Sequence, residues 1–222
     1  MRKRDDKCMV KMYVVQMTKS KIRFIVPVVV LLFLMPAIVW TIVSSGNSSD
    51  VRQADIIRQL HVWIPLFSGW WTIVFTTDFF SSDGNELMYL FHRQIYVFVG
   101  QLAAMAGYLL LVAGGFCLYG AICPMEEVVL WQLLYESAMV GSLTFFTCFL
   151  LQNTGAALMV SVLYCIYLNL FDPLNMFGFL SVFPREMQSA AWDPVLAVKA
   201  AAGTIVFLAG GTLLFQVRRV YK

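Results

Sequence analysis

"FIVPVVVLLFLMPAIVWTIV", residues 24–43, runs for twenty residues without a single charge. A helix of about 20 apolar residues spans the hydrocarbon core of a bilayer. Eight cations come before it: Arg2, Lys3, Arg4, Lys7, Lys11, Lys19, Lys21 and Arg23. This basic segment is too long, and the apolar run too extended, for a cleaved secretory leader. The stretch therefore reads as a first membrane span with a cytoplasmic basic flank.

The rest of the chain follows the same pattern. Of 222 residues, 60% are hydrophobic and 13% are charged. Soluble domains carry roughly a quarter charged residues, so this chain needs an apolar solvent, and the same composition excludes disorder. The cations gather at the two termini rather than on a groove-facing patch, which argues against a nucleic-acid-binding role.

Five further apolar runs follow, over residues 62–80, 95–119, 128–151, 155–171 and 195–217. Arg218, Arg219 and Lys222 follow the last run. Basic flanks at both ends place both termini in the cytoplasm, which requires an even number of spans. The expected fold is an all-α polytopic membrane protein with six transmembrane helices. Residues 1–23 form a cytoplasmic tail, 24–217 the membrane domain and 218–222 a second tail. Residues 44–61 are expected as an outer connection, with Asp50, Arg52, Asp55 and Arg58 in balance. Gln152, Asn153, Thr154 and Gly155 read as a tight inner turn.

Residues 8–21 mix Met9, Met12, Tyr13, Gln16 and Met17 with Lys11 and Lys19. They read either as an amphipathic helix on the inner leaflet or as an unstructured basic tail. Residues 171–194 are apolar but punctuated by Pro173, Gly178, Pro184 and Pro194. Short re-entrant outer helices suit this punctuation better than a span.

Few residues suggest chemistry inside the spans. The two histidines, His61 and His92, stand at span ends in this reading. Glu126 and Glu127 suit the first turn of a helix, where acids favour its positive pole. No convergent polar set for a membrane-embedded enzyme is visible in the sequence. Glu136 is the candidate intramembrane polar site, because ionisable residues are expensive there. It faces a water-filled or subunit-lined cavity, or it is an interfacial acid reaching for the headgroups. Lys199 has the second option as well. The five cysteines form no metal-ligand spacing, so no metal site is expected, and Cys117 and Cys123 are close enough in sequence to pair or to stay free. Asn47-Ser48-Ser49 matches a glycosylation triplet. There is no phosphate-binding GxxxxGK[ST] loop and no nucleophile elbow, so no nucleotide or catalytic site is assigned to this chain. Gly114-Gly115 and Gly210-Gly211 read as places where helices approach closely.

Between the second and third runs lies "FFSSDGNELMYLFHRQ", residues 79–94. Ser81 to Gly84 suits a turn that caps a helix. Glu86 falls in that helix's first turn, Leu87, Met88, Leu90 and Phe91 supply apolar contacts, and His92 and Arg93 close it. A short amphipathic helix on the inner surface is one reading, and an ordinary connecting loop is the other.

With the six-run pattern, this segment resembles the type-2 permeases of ATP-binding-cassette exporters. The resemblance covers the whole chain at the level of topology. It rests on Asp78 with Gly84-Asn85-Glu86-Leu87, and on residues 145–163 as a fourth-to-fifth span junction. A proline that often follows the Glu-Leu pair in that family is replaced here by Tyr89-Leu90-Phe91.

The resemblance implies an interfacial N-terminal helix, a coupling helix over 84–93 and a second, identical or homologous, permease subunit. It also implies separate ATPase subunits that hold ATP and magnesium, with no cofactor on this chain. Gly84, Glu86, Leu87, Met88, Phe91 and Arg93 are the implied ATPase-coupling residues. The implied cargo is a peptide antibiotic, a drug-like amphiphile or a lipid-like molecule, and the implied location is a bacterial plasma membrane. An integral-membrane enzyme and a non-catalytic scaffold or sensor are the competing readings.

Overall fold

The computed structural model describes residues 21–45, 49–81, 94–171 and 194–221. All regular structure among these residues is helical. In chain order the elements are α1 (Lys21–Val29), a π-helical stretch (Val30–Leu34), α2 (Met35–Ser44), α3 (Ser49–Thr76), α4 (Asp78–Ser81), α5 (Gln94–Ile122), α6 (Glu127–Leu151), α7 (Thr154–Phe171) and α8 (Pro194–Tyr221). Among the described residues four segments are long and apolar enough to cross a membrane: Ile25–Ser44, Val97–Ile122, Glu127–Leu151 and Pro194–Val217. The N-terminal tail, the 84–93 segment and the connection before α8 lie outside the described residues, as do Asn47 and Ser48.

Two boundaries differ from expectation. The second helix starts at Ser49, whereas residues 44–61 were expected as an outer connection. No glycine or proline interrupts 49–64, and the segment is amphipathic. Ile56, Ile57 and Leu60 are buried while Val51, Asp55 and Arg58 are exposed, so one apolar stripe holds the polar extension against the bundle. That helix also stops at Thr76, and α4 follows as a separate turn over Asp78–Ser81.

Proline chemistry explains the first rod. Within the π-helical stretch the Met35 N–H bonds back to the Val30 carbonyl, five residues away. This leaves the Leu31 carbonyl without its usual Met35 donor. The next donor in a π register is residue 36, a proline with no N–H. The orphaned acceptor is met by Tyr119 on α5, whose hydroxyl donates to the Leu31 carbonyl at 2.5 Å. Gly115 makes room, since a Cβ there would meet the Tyr119 Oη at 3.0 Å.

Side-chain contacts set the helix directions. Trp71 Nε1 donates to the Ala104 carbonyl at 2.8 Å and the Tyr108 hydroxyl bonds the Ile64 carbonyl, so α3 and α5 are antiparallel. Thr144 and Ser161 meet at 2.6 Å while Val140 and Cys165 share a cluster, so α6 and α7 are antiparallel. Ser68 and Thr76 of α3 meet Ser137 and Cys148 of α6 in the same order along both helices. Along α8, Gly203 meets Met139 and Gly211 meets Phe145. Hence α3, α6 and α8 run the same way, and α5 and α7 run against them.

The bundle is apolar on its outer faces and carries polar side chains within an otherwise apolar core. Leu110 is 74% exposed, Phe33 69% and Val198 68%, yet His61, Glu136, Ser137, Ser142 and Thr144 are 0% exposed. A water-soluble protein rarely leaves so many large apolar side chains exposed while burying a histidine and a glutamate completely. With lipid outside, apolar side chains face out at no cost, and helix contacts rely on small and hydrogen-bonding residues.

Candidate functional site

α6 is the central helix, and its contact with α3 is the most polar seam described. Glycines and hydroxyls alternate across it. Gly141 of α6 faces Ser68, whose Oγ would stand 2.7 Å from an added Cβ; Gly69 of α3 faces Thr144 in the same way at 2.9 Å. The missing side chains bring the helices close enough for Ser68 Oγ to donate to the Ser137 carbonyl at 2.6 Å. Thr144 hydrogen-bonds Ser161 of α7, and Gln101 Nε2 of α5 donates to Thr72 Oγ1 at 3.2 Å. Four helices are thus tied through one polar strip.

At the strip's far end His61 meets Glu136. The imidazole Nδ1 lies 2.8 Å from Oε1 and 2.7 Å from Oε2, so both carboxylate oxygens share one nitrogen. Both side chains are 0% exposed. Among the described residues, His61 Nε2 has no hydrogen-bond partner. His61 lies inside α3 rather than at a span end, because α3 begins at Ser49 and not at residue 62 as that reading places it. Glu136 lies nine residues into α6, enclosed by protein, and reaches neither solvent nor a helix end.

The sequence reading therefore missed a convergent polar set. Its members are 75 residues apart and come from different helices. One signal was present, however: a histidine and a glutamate, each inside an otherwise apolar helix, are expensive singly and cheaper together.

At the opposite end the seam becomes aromatic. Phe79 packs against Phe149 and Phe215 with ring centroids at 6.0 and 5.9 Å, and Phe80 packs against Phe149 at 5.2 Å. Phe149 and Phe215 meet edge-on at 5.8 Å. This clasp joins α4, α6 and α8 immediately before residue 82. The adjoining turn is tight, as expected: Gln152 takes φ 53°, and Asn153 Oδ1 accepts from the Gly155 and Ala156 N–H groups at 2.9 and 3.1 Å.

The remaining candidates divide. Gly84, Glu86, Leu87, Met88, Phe91 and Arg93 lie outside the described residues. Gly210 and Gly211 do admit a neighbour closely, receiving Phe146 and Phe145, whereas Gly114 faces open space. Cys117 and Cys123 are free thiols. Among the described residues no cluster of three His, Cys, Asp or Glu side chains is arranged to hold a metal. Comparison of the chain with protein-family models, curated proteins and solved structures gave no match.

Proposed function

We propose that the chain is the permease subunit of an ATP-binding-cassette exporter, driven through residues 84–93 by separate ATPase subunits. The observation that carries this reading is the aromatic clasp. A coupling segment works only if its displacement reaches the membrane helices, and a rigid junction transmits displacement where a loose loop absorbs it. Phe79 and Phe80 stand directly before the segment and interlock with Phe149 of α6 and Phe215 of α8.

The connectivity agrees with that role. Residues 82–93 join antiparallel α3 and α5 at the end of the bundle that also carries the α6–α7 turn and the basic end of α8. In this reading that end is cytoplasmic, six helices span the membrane, and the aliphatic outer faces meet lipid. A second permease subunit completes the pathway, and the cargo is an amphiphile such as a peptide antibiotic, drug-like molecule or lipid.

The test is affinity purification of the full chain in mild detergent, with every copurifying subunit identified. A cassette ATPase is expected in the wild-type complex, and Glu86→Ala or Leu87→Ala should remove it while membrane insertion persists. Full transport activity with no ATPase present would overturn the reading.

A further inference from the structure

Two cross-helix bonds fix how the first rod lies along α3. Near the start of the rod, Trp70 Nε1 donates to the Arg23 carbonyl at 3.1 Å. Near its end, Arg52 Nη1 donates to the Val43 carbonyl at 3.1 Å. Residues 24–43, which carry no charge, therefore lie alongside the 52–70 stretch of α3. Asp55 and Arg58 thus stand at the depth of an apolar span, and both are exposed. Neither makes an ion pair among the described residues, although they are one turn apart on the same helix.

Lipid is a poor neighbour for that face, because ionisable side chains are expensive in hydrocarbon. Arg58 has a stem long enough to reach headgroups, and Asp55 does not. Open water suits it no better, since the rod alongside exposes Phe33, Leu34 and Trp40. The face has a helical period. Val51, Asp55, Arg58 and Val62 recur at intervals of four, three and four residues on one side of α3. Ile56, Ile57, Leu60 and Ile64 on the other side are buried in the bundle. The exposed stripe carries one charge of each sign. Long side chains on a helix lean toward its N-terminus, which carries an arginine at 58 toward the level of Asp55.

We propose that the 51–62 face of α3 docks a second copy of this chain about a two-fold axis along the membrane normal. The two α3 helices then run parallel. Arg58 of one copy meets Asp55 of the other, and the same pair forms again on the far side of the axis. Val51 and Val62 flank the two ion pairs and keep lipid from them. The face is its own electrostatic complement, which selects an identical copy over an unrelated partner. The contact names the second subunit of the permease reading and rests on that reading for its purpose, while its formation needs no ATPase.

The test is native mass spectrometry of the full chain released from lipid nanodiscs. The wild type should be a dimer. Asp55→Arg and Arg58→Asp each set like charges across the axis, and each alone should lower the dimer fraction by about tenfold or more. Coexpressed with different tags, the two single variants should copurify as a heterodimer, because one chain then brings two cations and the other two anions. The double variant Asp55→Arg with Arg58→Asp should dimerise as the wild type does. A monomeric wild type, with lipid or another protein on this face, would overturn the proposal, and that measurement requires no variant to fold. Single variants that self-associate like the wild type would overturn it too, by placing the second copy on another face while leaving the permease reading intact. A charge-dependent dimer with no cassette ATPase copurifying would uphold this contact and count against the permease reading.

Discussion

The Tyr119 hydroxyl on α5 donates to the Leu31 carbonyl, an acceptor that the π-helical turn and Pro36 together strip of its helical donors. A local defect in one helix is thereby repaired by a side chain 88 residues away. Removing that hydroxyl leaves a buried carbonyl unmet. Tyr119→Phe should cost about 1 kcal/mol, the usual scale for hydrogen bonds between membrane helices. Thermal unfolding in detergent would measure it. The loss should shrink when Pro36→Ala supplies a backbone donor, and additive losses would contradict the repair.

Neighbouring glycines should respond differently. A Cβ on Gly115 meets the Tyr119 Oη at 3.0 Å and the Leu31 carbonyl at 3.7 Å, whereas one on Gly114 meets nothing within 4 Å. Gly114→Ala should be neutral or slightly stabilising through helix propensity. Gly115→Ala should destabilise, and equal melting temperatures for the two would count against the packing described here.

The α3–α6 seam admits no added bulk. Gly141→Val would drive methyl groups into Ser68 and Thr72. Overpacking of this kind costs roughly 1–3 kcal/mol, and separation of the helices would also break the Ser68–Ser137 bond. Chemical denaturation should show reduced stability, with a smaller loss when Ser68→Gly is added to restore space.

Single truncation of the buried pair should be severe. Glu136→Ala or His61→Ala each leaves a polar partner stranded, at a cost of about 3–5 kcal/mol. The double replacement His61→Phe with Glu136→Leu should unfold at a higher temperature than either single variant, because no unpaired group remains. A double variant weaker than both singles would mean that the pair holds the fold by more than mutual satisfaction.

Coupling and docking should separate by mutation. Phe79→Ala removes the ring between Phe149 and Phe215 without touching residues 84–93. On the permease function proposed above, ATPase association should persist in this variant while transport falls, by about tenfold if the clasp transmits the motion. Loss of association in Phe79→Ala would place docking, not transmission, at the clasp.

The sequence by itself determined which segments are helical and apolar, because a run such as 24–43 needs no partner to declare its solvent. Turn chemistry was equally local: Asn153 followed by Thr154 and Gly155 announced the break between α6 and α7, which the structure shows as an Asn153-capped turn. The start of α3 was not legible from hydropathy, since Asp50, Arg52, Asp55 and Arg58 mask an apolar stripe that only the bundle makes useful. Tertiary structure alone decided that His61 meets Glu136, that Tyr119 meets Leu31 and that Gly141 meets Ser68. Each pairing depends on how two helices are rotated and staggered against each other. In a bundle whose outer faces are apolar as well as its core, no single helix encodes that choice in its own pattern.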